Sequence, residues 1–307
     1  MYTVFPGPAR PAPVALALGG GGLRGTAHIG VLKVLIANGI RPAMIAGTSA
    51  GSIIAALYAA GRDPADMERL ALNVKAGDLY DPIHALTGLR IAAKLAYDYL
   101  GIPLPTPPEA PLGFVRGDRL ERFVAEATGG ATFAQTRLPL AITAVDINTG
   151  QLVIFCASRD VFPDVSGRTA FITDAKLAEA VRASTAIPGV FEPKRIAGRT
   201  LVDGGVKDLV PADVLRRMGA ERVIAVDLGL ADRRRAEIDD IVEVMQQAVD
   251  IMGRELTDIV LRRAAAVVIA PQTGDVGLAD MHRIPELIAR GEDAARAAIW
   301  QVRALVG

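Results

Sequence analysis

Gly47-Thr48-Ser49-Ala50-Gly51 places a serine between glycines two positions to either side. A serine at a sharp turn between a strand and a helix holds its hydroxyl clear of the sheet, where a base and a substrate both reach it. The glycines remove side chains that would block so tight a turn, and the following helix N-terminus favours negative charge. Composition alone yields about 0.05 chance matches to this pattern. Ser49 therefore weighs as a nucleophile rather than as a structural turn residue.

A second run reads Gly19-Gly20-Gly21-Gly22-Leu23-Arg24-Gly25. Without Cβ atoms, successive backbone N–H groups can converge on one point, which suits stabilisation of an oxyanion. Gly20, Gly22 and Gly25 also fit the dinucleotide fingerprint G-x-G-x-x-G. That fingerprint expects an acid ~20 residues on to hold the ribose. No acid occurs before Asp63, so the nucleotide reading lacks its partner.

A serine nucleophile needs a proton acceptor. The three histidines are His28, His84 and His282. His28 falls within a helical pattern, where an inward histidine is more often a satisfied core residue than a base. His84 and His282 sit beside turn signals. A carboxylate remains. Asp203-Gly204-Gly205 follows an apolar stretch that would desolvate the acid, and desolvation strengthens a carboxylate as a base. Taken alone it reads as an ordinary Asp-Gly turn; beside the other two motifs it reads as the base.

These groups need elements to hold them. Residues 14–18 form a short apolar run ending at the glycines, hence a buried strand and a tight loop. A helix is expected over 26–38, stopped by Gly39, then a strand at 43–46 and a helix at 50–60, stopped by Gly61. Asp63-Pro64 opens a third helix. Arg90, Lys94 and Asp98 make a solvated stripe on an apolar helix at 86–100, and five prolines make 102–111 an extended loop. A helix follows at 117–127. Strands at 139–145 and 151–156 make a hairpin, as do 194–196 and 199–202. Helices at 177–183, 211–218, 238–263 and 284–305, with strands at 222–228 and 266–270, complete the chain. Alternating strands and helices predict a mostly parallel sheet between helical layers, in a single domain of residues 1–307.

Bulk properties narrow the function classes. Lys and Arg together number 34, as do Asp and Glu, so no net charge draws in nucleic acid. The first 62 residues contain basic but no acidic side chains, which is either balanced by later segments or favours a developing anion. Cys156 is the only cysteine, which excludes an intrachain disulfide and a cysteine metal cluster. No His or Cys pair has zinc spacing, and no cofactor is expected. The N-terminal extension, residues 1–13, lacks the ordered parts of a signal peptide. Residues 42–61 are uncharged for the length of a membrane span, but their small, polar centre fits a strand, a turn and a buried helix better. A cytoplasmic protein is expected, with peripheral contact at a membrane surface allowed.

The three motifs, in this order, resemble those of the patatin-like phospholipase family, in particular its small bacterial members. The resemblance extends to residues 138–155 (LPLAITAVDINTGQLVIF), 183–193 (ASTAIPGVFEP) and 267–281 (VVIAPQTGDVGLADM), and so to nearly the whole chain. It implies a three-layer α/β/α fold and a Ser–Asp dyad without histidine. Carried over by motif position, Ser49 attacks an acyl carbonyl and Asp203 takes its proton and later activates water. The N–H groups of Gly20, Gly21 and Gly22 hold the oxyanion, with Arg24 in support. Gly25, Gly47, Gly51, Gly204 and Gly205 are the motif glycines. The implied substrate is a lipid or simpler carboxylic ester. Acyl transfer or thioester hydrolysis on the same dyad, a nucleotide-binding protein and a silent scaffold are the alternatives. Residues 86–111 form either a lid or acyl channel, or a helix packed on the core with a rigid connector.

Overall fold

The computed structural model describes residues 13–81, 93–94, 97, 112–162, 168–229, 241–277 and 280–307. The expected loop at 102–111 and the N-terminal segment through residue 12 lie outside them. Of the expected helix at 86–100, only 93, 94 and 97 are described.

The sheet is built of β1 (Ala15–Leu18), β2 (Met44–Thr48), β3 (Leu140–Asp146), β4 (Leu152–Phe155), β5 (Thr169–Ile172), β6 (Lys194–Ile196), β7 (Arg199–Asp203), β8 (Val223–Val226) and β9 (Val267–Ile269). Its order is β5-β4-β3-β2-β1-β8-β9, with β7 against β3 and β6 against β7. The strands β3, β2, β1, β8 and β9 are parallel to one another along that path, whereas β4 is antiparallel to β3. The helices are α1 (Ala27–Ala37), α2 (Ala50–Ala59), α3 (Pro64–Asn73), α4 (Ala76–Leu79), α5 (Asp118–Thr128), α6 (Leu177–Ser184), α7 (Ala212–Arg217), α8 (Ile241–Ala264) and α9 (Ile284–Val306).

The period of two along each strand sorts the core into two layers. Leu16, Leu18, Ile45, Ile142 and Val226 face one side, where α1, α2, α5, α6 and α9 pack. Ala15, Ala17, Ala46, Ala141 and Ala225 face the other, where alanines let α7 and the end of α8 approach closely. This is the three-layer α/β/α arrangement with a mostly parallel sheet. Most expected elements recur within a residue or two. β2 is longer at its C-terminal end than expected, because its pairing with β3 continues through Gly47 and Thr48. The short strand β5, parallel to β4, has no counterpart among the expected elements. No helix among the described residues is long and apolar enough to cross a membrane.

One topological detail positions the site. β3 pairs with β4 along one edge, using residues 142–145. Its other edge is shared end to end by two strands. β2 occupies the first part, with Thr48 opposite Thr143, and β7 the second, with Asp203 opposite Ala144. β2 and β7 run toward each other along that edge. The last residues of β2 and β7, Thr48 and Asp203, therefore lie opposite consecutive positions of β3, and Ser49 follows directly after Thr48. β1 lies on the far side of β2 with Leu18 opposite Gly47, so its glycine loop emerges beside the same point. Ligands of parallel α/β sheets bind at this carboxyl edge.

Candidate active site

Ser49 follows β2 with φ of 52°, one of two non-glycine residues at positive φ among those described. Such a backbone costs about 1–3 kcal/mol and persists only where its surroundings impose it. They do so here. A Cβ on Gly51 would lie 2.2 Å from the Leu18 carbonyl oxygen, and one on Gly47 would lie 2.5 Å from the Gly51 carbonyl oxygen. Only glycine at both positions lets α2 start this close to β1 and β2. The Ser49 N–H donates to Ser184 Oγ at 2.8 Å, and Ser52 N–H and Oγ–H both donate to the Ser49 carbonyl. Ser184, at the end of α6, escaped the sequence reading, since nothing local marks a hydroxyl that meets position 49 from 135 residues away.

The glycine loop is anchored at its start. Gly19 N–H donates to the Val226 carbonyl, and the Gly19 carbonyl accepts from His28 Nε2 at 2.8 Å. A Cβ on Gly20 would lie 3.2 Å from Ser49 Cβ, which places the loop directly against the serine. Gly25 is needed where the following 3-10 turn passes α2, since its Cβ would meet that of Ala50 at 2.5 Å. Packing on the serine turn thus accounts for a glycine that also fits the dinucleotide pattern. Arg24 is buried, and its Nε donates to the Gly21 carbonyl at 3.2 Å. One expectation needs correction. Gly20 N–H donates to the Leu209 carbonyl at 3.0 Å, so it is not available as an oxyanion donor. Among the described residues, no hydrogen-bond acceptor engages the Gly21 or Gly22 N–H.

Asp203 ends β7, is 5% exposed, and accepts the Gly205 N–H on Oδ1 at 2.7 Å. Its own N–H donates to the Ala186 carbonyl. Gly204 is required because a Cβ there would strike the Thr143 side chain and backbone of β3. The turn after Asp203 also holds the other two motifs. The Asp208 carbonyl accepts from Thr48 Oγ1 at 2.8 Å, and the Leu209 carbonyl accepts from Gly20. With the Thr48 proton given to Asp208, the 2.6 Å contact between Thr48 and Thr143 hydroxyls is donated by Thr143. One short segment, 203–209, therefore ties together the acid, the serine turn and the glycine loop. Burial, with a smaller push from Asp213, raises the Asp208 carboxyl to about 7, opposed by Arg217.

His28 is fully buried on α1, and burial lowers it to about 4 against the opposing bond to Gly19. A neutral ring that donates Nε2–H to Gly19 braces the loop. His282 lies in the 3-10 turn before α9, and His84 lies outside the described residues. The His28 shift has a stability consequence. In the unfolded chain the ring takes a proton near 6.5, whereas the folded ring resists until about 4. The unfolded state therefore binds more protons between these values. Stability is whole above pH 6.5 and falls by about 3 kcal/mol as pH drops to 4. Urea unfolding of wild type and His28→Gln at pH 7 and pH 4 checks this. The variant should lose about 3 kcal/mol less over that interval, and equal losses would contradict it.

An apolar cavity of about 410 Å³ opens on Ser49. Leu23, Ile53, Leu57, Met67, Leu120 and Phe191 contribute to its wall, and Gly22 borders it beside the serine. Among the described residues, no three His, Cys, Asp or Glu side chains gather as metal ligands.

Residues 16–216 match the family model for patatin-like phospholipase. The chain belongs to the patatin-like phospholipase family. All three motifs fall inside the matched region. An NTE family protein of Mycobacterium tuberculosis is 31% identical over 70% of this chain and 49% of its own length. Protein YqhO of Bacillus subtilis is 30% identical over 70% of this chain and 71% of its own. Mouse patatin-like phospholipase domain-containing protein 6 is 30% identical over 71% of this chain and 14% of its own. The chain spans about half the length of the first curated relatives it matches. Among solved structures, the type III effector ExoU aligns with 96% of this chain and 54% of its own, at TM-score 0.49 and 18% identity. VipD from Legionella pneumophila aligns with 96% of this chain and 67% of its own, at TM-score 0.46 and 15% identity.

Proposed function

We propose that this patatin-like chain hydrolyses lipid acyl esters through an acyl-enzyme on Ser49. The observation that carries the reading is the apolar cavity of about 410 Å³ opening on a serine held at φ of 52°. The cavity takes an acyl chain, because apolar surface buried there is worth roughly 0.8 kcal/mol per methylene. The strained turn keeps the hydroxyl at its mouth.

Ser49 Oγ attacks the acyl carbonyl carbon while its proton passes to the Asp203 carboxylate. Oδ1 of that carboxylate is fixed by the Gly205 N–H, which orients the group at the end of β7. The carbonyl oxygen becomes an oxyanion, held by the N–H groups of Gly21 and Gly22. Arg24, tethered to the Gly21 carbonyl, adds positive charge behind the loop. Collapse breaks the ester C–O bond, and the leaving alcohol takes the proton from Asp203. Water then attacks the acyl-enzyme, losing its proton to Asp203, and the carboxylic acid departs as Ser49 is restored. The dyad needs no histidine, consistent with His28 being neutral and committed to Gly19.

The direct test is acyl release by the purified chain from a p-nitrophenyl ester series and from phospholipid and lysophospholipid vesicles. Intact-mass detection of an acyl adduct of the protein accompanies it. Turnover with a transient adduct is expected. A folded protein that releases no acyl group from any of these, and forms no adduct, would overturn the reading.

A further inference from the structure

A second space, a charged cleft of about 800 Å³, lies against the apolar cavity. Leu70, Val74 and Phe123 line both. They come from α3, the residue after it, and α5. Arg62, Arg69, Arg119 and Arg122 line only the cleft, with acids such as Asp78 among them. Ser49 lines only the cavity.

We infer that Leu70, Val74 and Phe123 form the wall that sets the longest acyl chain this chain accepts, with Phe123 as the main determinant. The inference rests on the proposed hydrolysis. A chain bonded to Ser49 extends into the cavity and gains from each methylene that leaves water. Beyond the wall stand ionised side chains and water. A terminal methyl pushed there gains no burial and strips solvent from charged groups. The gain per methylene therefore stops at the wall. Phe123 has the largest side chain of the three, and it is only half-buried. Changing it alters the partition with little disturbance to the core. The preferred substrates are thus esters whose acyl chain ends at this wall, whatever alcohol they carry.

The test compares kcat/KM across p-nitrophenyl esters from acetyl to palmitoyl for wild type, Phe123→Ala, Phe123→Trp and Arg122→Ala. In the wild type, kcat/KM rises roughly fourfold per methylene and then levels off. Phe123→Ala moves the levelling point to longer chains, raising the first esters beyond the wild-type limit by roughly tenfold relative to butyrate. Phe123→Trp moves it to shorter chains. Arg122→Ala, which lines only the cleft, leaves it in place. Unchanged acetyl and butyryl rates show that each variant is folded. A levelling point that stays put in both Phe123 variants while short-chain rates persist overturns the inference. Absence of any Ser49-dependent hydrolysis in the wild type would instead overturn the proposed function.

Discussion

Ser49→Ala should abolish covalent labelling by a fluorophosphonate and reduce ester hydrolysis to what binding and the oxyanion donors alone provide, ~10³–10⁴-fold over water. The substitution removes one oxygen and leaves the frame intact. The Ser49 N–H bond to Ser184 Oγ and the bonds from Ser52 to the residue-49 carbonyl are made to main-chain atoms, which alanine keeps. Alanine has the same Cβ, so the strain of φ 52° is unchanged. The thermal midpoint should therefore move by no more than about 2 °C, the usual span for a change that creates no cavity and orphans no buried group. Activity-based labelling, steady-state hydrolysis and a melting curve on the same preparation separate the outcomes. Labelling that survives in Ser49→Ala at the wild-type rate would show another nucleophile at work. Ser52 and Ser184 are the nearest alternatives, and peptide mapping of the adduct would identify either.

How far the site could be read from the chain depends on which contacts are local. The serine turn and the glycine loop were legible because their constraints lie within a few residues: a strand, a close approach that excludes Cβ, and a helix start. Gly47 and Gly51 are glycines for the reason the pattern implies, contact between α2 and the ends of β1 and β2. Helix ends were legible where a local device marks them, as when Asp63 accepts the Asp66 N–H to cap α3. The way β2 and β7 share one edge of β3 was not legible. Both strands look ordinary, and the pairing joins residues 48, 143, 144 and 203 across 155 positions. The same holds for Ser184 and for the Leu209 carbonyl. Leu209 accepts the Gly20 N–H, so of the three glycine N–H groups expected as oxyanion donors one is engaged elsewhere in the fold. A glycine pattern reports where backbone can approach; it is silent on which N–H groups the rest of the fold has already used. β5 escaped notice because its four residues, only partly buried, carry too weak an alternation to separate from loop.

Asp203→Asn should lower kcat by ~10²–10⁴-fold, the usual cost of removing a positioned base, and slow fluorophosphonate labelling by a similar factor. Asparagine has the size and shape of the acid, and its amide oxygen can still accept the Gly205 N–H, so the turn at 203–205 should form as before. It cannot take the serine proton. Both half-reactions should be affected, since in the proposed mechanism the same carboxylate receives the proton of Ser49 on attack and that of water on deacylation. Acylation and deacylation should both slow, and an acyl adduct that does form should persist longer than in wild type. KM for short esters should change little, because the acyl cavity is lined by other residues. A structural role alone predicts a different pattern. If Asp203 mattered only for tying Thr48 and Gly20 through the segment that follows it, Asp203→Asn, which preserves that segment, would retain near-wild-type kcat. Asp203→Ala, which removes the acceptor for Gly205, would then be the damaging change, and it would lower thermal stability as well. Pre-steady-state kinetics of the two variants, with their melting curves, decide between a proton acceptor and a brace.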